Sequence, residues 1–139
     1  MEPSVLVKLF KREPNTGKMI DVVGAIDEGR DWYGCTSRWS LLEVARALKK
    51  DEKPRELIEL DLRELRRHKI TLIEVTKTIL LDAEQMLISH NLYASDAVHL
   101  STFRLARRQR RLDAMLTDDQ HLRRFEGILT ALTLDQVSP

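Results

Sequence analysis

At 139 residues the chain suits one α/β domain, residues 1–139, with enough surface to bury that neither disulfides nor a structural metal are needed. Lys and Arg total 23 against 22 Asp and Glu, and this net charge of +1 does not announce a nucleic-acid binder. Cys35 has no cysteine to pair with, no apolar run reaches ~18 residues, and the N-terminus lacks the order of a signal peptide, which together predict a soluble cytoplasmic protein without membrane contact. The charged fraction of 32%, beside two Asn and four Gln, leans towards a thermophile's composition.

In chain order, Ser4 to Phe10 is too short a run to separate strand from helix. Lys18 to Glu28 reads as a helix ended by Gly29, and Tyr33 to Thr36 as a strand whose Cys35 is a small buried filler. Ser37 or Ser40 caps the next helix, which runs to about Lys50, and Pro54 opens another carrying Ile58, Leu62 and Leu65. Ile70 to Val75 is β-branched and strand-like, and Thr76 or Thr78 starts a helix lasting to Ser89. Ser95 caps a helix from Asp96 to about Arg111. Ala114 to Thr117 is a strand, Asp118 to Phe125 a short helix ended by Gly127, and Leu129 to Leu134 a final strand. Strands alternating with amphipathic helices predict a three-layer α/β/α sandwich around a parallel sheet of four to five strands.

Most acids lie on polar helix faces beside Arg or Lys, but three placements differ. Glu43 sits in the apolar stretch from Trp39 to Ala45, Asp96 opens a helix, and Asp118 and Asp119 follow directly on an apolar strand. In a parallel sheet the functional crevice lies at the carboxyl ends of the strands, and all these acids belong to that edge. Each has a structural use when taken alone: Asp96, Asp118 or Asp119 as a helix cap, Glu43 as a partner of Arg38, Arg46 or another buried base. Together their like charges favour a cation, and oxygen donors select Mg²⁺ or Mn²⁺. Zinc is disfavoured, because the four histidines show no paired ligand spacing. His99, one turn after Asp96, reads as a packed helix residue more readily than as support for the metal site.

The segments Thr36 to Leu48, containing Glu43, Leu92 to Leu100, containing Asp96, and Leu116-Thr117-Asp118-Asp119 resemble the PIN domain, most closely small VapC-type toxins. Ser4-Val-Leu-Val-Lys-Leu-Phe10 resembles the family's opening segment. The resemblance implies an acidic pocket holding Mg²⁺ or Mn²⁺ that cleaves single-stranded RNA, inhibition by a cognate antitoxin, and a homodimer. By position, Glu43, Asp96 and Asp119 match the family's acids, Asp118 the variable neighbour, and Ser4 and Thr117 the hydroxyls beside the metal. Register puts Glu2 where the family carries Asp at the end of a first strand that is nearly all missing here. A start upstream of Met1, strand-like use of Ser4 to Phe10, or a neighbouring subunit would each answer that gap. Glu2 is therefore expected to be loosely held near a chain end, and activity to be weak or absent.

Arg104, Arg107, Arg108, Arg110 and Arg111 crowd one helix end, with Arg123 and Arg124 further on. They can complement the helix dipole, contact RNA phosphates, or dock an acidic antitoxin tail. Aromatics are 5% of the chain, which makes base stacking a minor source of affinity. Surplus apolar positions at Leu57 to Leu65 and Ile79 to Leu81 suit a dimer interface. The rival reading is a PIN-like RNA- or protein-binding module without catalysis. A nucleotide-binding α/β protein is disfavoured, because five glycines form no phosphate loop.

Overall fold

The ambiguous opening segment is helical in the computed structural model, which describes residues 1–110, 112–125 and 130–139. Pro3–Leu6 forms helix α1, and Val7–Leu9 continues it as a 3-10 turn. The start signal is local. The Glu2 carboxylate caps the Ser4 N–H, and Pro3 sits in the first turn, where its missing N–H costs nothing. α2 spans Thr16–Glu28, starting at Thr16 rather than Lys18, and ends at Gly29, whose φ of 74° is the left-handed stop expected of it.

Helices α3 (Trp39–Lys50), α4 (Arg55–Leu65), α5 (Lys77–Ser89) and α6 (Ala94–Arg110) fall where apolar spacing puts them. Thr76 caps α5 through its hydroxyl, which accepts the Ile79 N–H. Of the two serines expected to start α3, Ser37 accepts the Trp39 N–H, whereas Ser40 is buried inside the helix beside the Thr36 hydroxyl. Ser95 lies within the first turn of α6 rather than capping it. A short α7 covers Gln120–Arg123, with Asp119 rather than Asp118 at its cap. Gly127, expected to end it, lies outside the described residues.

The strands are shorter than their apolar runs: β1 Cys35–Ser37, β2 Thr71–Ile73, β3 Met115–Leu116 and β4 Ala131–Leu132. Leu129, the expected start of the last strand, lies outside the described residues, and Leu134 belongs to a 3-10 turn. The parallel direction is as expected, but the single sheet of four to five strands is not what forms. Among the described residues there are two parallel pairs, β1–β2 and β3–β4. An apolar run sets which residues extend, but a ladder forms only where a partner backbone runs alongside.

The hydrogen bonds locate the join between the pairs. Thr71 N–H donates to Gly34 O and Arg38 N–H to Ile73 O, which turns Cys35, between them, to the opposite edge of β1. There Cys35 O accepts the Met1 ammonium at 2.7 Å. Likewise Met115 and Thr117 donate to Thr130 O and Leu132 O, leaving Leu116 O to accept the Glu2 N–H at 3.0 Å. Met1 and Glu2 thus form a two-residue rung between the pairs, beside a cavity of about 450 Å³ lined by Met1, Cys35, Leu116 and residues of α2 and α6.

Successive strand residues feed two different cores, because side chains alternate across a strand. Leu72, Leu116 and Leu132 join the core of α1 to α4, while Ile73, Met115 and Ala131 join that of α5 to α7. The strands therefore separate two helical layers, the arrangement expected of an α/β sandwich. No helix among the described residues is long and apolar enough to cross a membrane. Leu6 in α1 is fully buried in the first core. Its truncation, Leu6→Ala, should cost about 2–5 kcal/mol in urea unfolding. A cost below ~0.5 kcal/mol, the level of a surface change, would mean that this segment does not pack as described.

Candidate metal centre

The side chain of Glu2 lies at the centre of a hydrogen-bonded chain. Its Oε2 accepts the Ser4 N–H at 3.0 Å, the Ser4 hydroxyl, and the Thr117 hydroxyl at 3.0 Å. Ser4 Oγ in turn accepts the Asp118 N–H, and Thr117 Oγ1 accepts the Asp119 N–H, both at 3.0 Å. Two hydroxyls thus tie α1 to the loop that leaves β3. Glu2 is only 7% exposed, and its three donors overturn the expectation of a loosely held chain end. Burial pushes its carboxyl pKa up, opposed by the Ser4 bonds, the nearby His99 and Thr117.

Asp96 is equally buried, at 7% exposure, in the first turn of α6. Its Oδ2 is buried with no hydrogen-bond partner among the described residues. Burial raises its carboxyl pKa, and the charges of Asp119 and Glu43 raise it further, offset in part by His99 and His121. A buried carboxylate oxygen without a donor is costly unless something cationic meets it. Glu43 reaches the same region from α3, where its Oε2 bonds Nε2 of His99, one turn beyond Asp96. Of the partners expected for Glu43, the structure thus supplies another buried base, His99, rather than Arg38 or Arg46. Arg38 is engaged by Glu74 at 2.6 Å.

The remaining expected site residues divide. Asp119 stands at the edge of the cluster, and one of its oxygens caps α7 by accepting the His121 N–H at 2.7 Å. Asp118 points its charge at Lys8, 3.1 Å away, so a protein cation already answers it. Lys8 is buried, and it also donates to Pro14 O. Sequence reading missed Lys8, although a lone lysine inside the apolar run from Ser4 to Phe10 is its own signal. His99 was legible as a neighbour of Asp96, but its partner on another helix was not.

Among the basic residues expected at a nucleic-acid surface, Arg104 is paired with Asp82 at 3.2 Å and lies against Met86, so its charge is answered within the protein. Arg107 and Arg108 are exposed near the end of α6, Arg110 lies over the Tyr33 ring at 5.5 Å, and Arg111 falls outside the described residues. Cys35 is buried, which pushes its thiol pKa up and suits a filler rather than a nucleophile.

No three His, Cys, Asp or Glu among the described residues lie close enough to hold one ion between them. The donors suit a hard cation taken by one or two carboxylates and otherwise by water, which is how Mg²⁺ is commonly bound. The orphaned oxygen of Asp96 fits such an ion. In the absence of metal, ionising Asp96 is harder in the folded chain than in the unfolded one. Its raised pKa therefore lowers stability as pH rises through the window above the ordinary carboxylate range. Thermal unfolding in chelator from about pH 4 to about pH 7 should show stability falling with pH less steeply for Asp96→Asn than for the unaltered chain. Equal slopes would mean that Asp96 is not strained by its surroundings.

No curated protein matches the chain. A family model described as the PIN domain matches residues 3–128, from the first residue of α1 through the three acid-bearing segments, although not Glu2. With most of its length matched, this chain belongs to the PIN domain family.

Proposed function

We propose that this protein is a metal-dependent endoribonuclease of single-stranded RNA, acting in the cytoplasm as the toxin of a type II toxin–antitoxin pair. PIN domains are generally nucleases, often belong to such pairs, and typically use divalent metal ions. The observation that carries the reading is the buried oxygen of Asp96, without a partner among the described residues and among carboxylates of like charge. Asp96, Asp119, Glu43 and Glu2 are the residues that would hold Mg²⁺ or Mn²⁺, one or two of them directly and the others through water. When bound, the ion would acidify water and neutralise charge on the phosphate.

The chain's own residues supply position. Ser4 and Thr117 hold the Glu2 carboxylate, so its extra methylene relative to Asp is accommodated by fixed donors. His99 steadies Glu43 across the gap between α3 and α6. The pairing of Lys8 with Asp118 favours a supporting role for that acid over a place on the metal. Arg107 and Arg108 are the exposed cations suited to RNA phosphates or an acidic antitoxin tail. Exposed Leu57 and Leu60 on α4, with Leu80 and Leu81 on α5, support a homodimer.

A second reading, a binding module without catalysis, is favoured by one observation: among the described residues three ligands are not gathered around any one point. Mn²⁺ titration separates the two. A working site should raise the unfolding temperature according to RT ln(1 + [L]/Kd), with the rise abolished in Asp96→Asn. The same substitution should slow cleavage of single-stranded RNA by about a hundredfold or more, since losing a transition-state charge partner costs on that order. No thermal shift at about millimolar metal, with no cleavage, would leave only the binding module.

A further inference from the structure

Asp96 lines one part of a second, smaller cavity of about 230 Å³, and the aromatic and basic groups around the rest of it are not acidic. They are Tyr93 at the entrance to α6, His121 on α7, and Phe125 and Arg124 just beyond it. This is an unusual concentration in a chain whose aromatics are only 5% of its residues. Tyr93 is 67% exposed, so its ring is not there to fill a core. It meets the His121 ring edge to face at 5.7 Å, a contact that uses no more than one face of either ring. Phe125 packs in the same manner on His90, with ring centres 5.5 Å apart.

We propose that this cavity is a nucleobase subsite, in which one base of a single-stranded RNA stacks on Tyr93 while Arg124 takes an adjoining phosphate. The inference rests on the ribonuclease reading and adds to it where the strand is gripped. At about 230 Å³ the cavity is smaller than the ~300–1,000 Å³ that drug-sized ligands occupy, so it has room for one flat ring system and little more. Flat aromatic walls select a flat partner, and every base offers a π face. An acidic peptide would meet one arginine and, in the same lining, the like charge of Asp96. A nucleotide meets complementary groups in order: a ring for its base, a guanidinium for its phosphate. Because Asp96 lines the same cavity, a base seated there brings the next phosphodiester to the edge of the carboxylate cluster.

The test uses fluorescence anisotropy with a labelled uridine oligonucleotide of about six nucleotides, a length within the range of single-strand sites. Glu43→Gln serves as the parent, with Mn²⁺ present, so that the probe survives and phosphate is not repelled. Removing the ring, Tyr93→Ala, should weaken binding by about fivefold or more, while Tyr93→Phe keeps the parent affinity. Arg124→Ala should weaken binding as well, and more so at low salt. Oligonucleotides carrying a single abasic position, walked along the strand, should show one position at which removing the base and removing the Tyr93 ring do not add. Equal affinities for Tyr93→Ala and its parent, additivity at every position, or no detectable binding by the parent would each overturn the subsite. Failure of the ribonuclease reading looks different: ring-dependent binding intact, yet no cleavage by the unaltered chain with Mg²⁺ or Mn²⁺.

Discussion

Two backbone hydrogen bonds join the halves of this molecule, one from the Met1 ammonium to Cys35 O and one from Glu2 N–H to Leu116 O. Without that rung the β1–β2 and β3–β4 pairs would be separate ribbons, and a two-stranded ribbon alone is marginally stable. The same two residues also fix where the site can be. Glu2 uses its N–H to reach β3 and its carboxylate to reach Ser4 and Thr117, so the residue that closes the sheet also anchors the acid cluster. The rung is bought with buried charge. The Met1 ammonium is desolvated, which lowers its pKa, and the Glu2 carboxyl is pushed the other way by the same loss of water.

Glu2 and Asp96 illustrate two ways of keeping a carboxylate out of water. Glu2 is supplied with donors from both neighbouring elements, and its charge is distributed over two hydroxyls and an amide. Among the described residues Asp96 is given none for its buried oxygen, and Asp119 and Glu43 add like charge. A fold that only had to be stable would not leave that oxygen unmet, because a paired or apolar group would cost less. Buried acids perturbed in this way are candidates for functional sites, where a ligand can supply a partner. Lys8 and His99 are placed so that Asp118 and Glu43 have partners, whereas the buried oxygen of Asp96 has none among the described residues.

Much of this was legible before any fold was known, and the misses have definite causes. Gly29 as a helix stop, Thr76 as a cap and the amphipathic spacing of α3 to α6 are local signals, and they appear where the pattern puts them. Ser4 to Phe10 was ambiguous because so short a run carries no period, and the deciding interactions, Glu2 to Ser4 and Thr117, involve a residue more than a hundred positions away. The strands were overdrawn for a related reason. Apolar runs such as Ile70 to Val75 state a preference for extension, whereas the ladder depends on whether a neighbour is present. Arg104 looked like one of a row of free cations, and only the packing of α5 against α6 brings Asp82 to it.

By itself the sequence determined what local chemistry can determine: which stretches are helical, which residues face a core, the PIN resemblance, and which acids stand in unusual company. Those depend on spacing within a few residues, where the geometry of helix and strand is the same in every protein. The tertiary structure alone decided how the acids divide. It tied Asp118 to Lys8, gave Glu43 to His99, fixed Glu2 with two hydroxyls, and left one oxygen of Asp96 without a partner among the described residues. Charge partners are chosen by distance in space and by what water can reach, and neither is written in the order of residues along the chain.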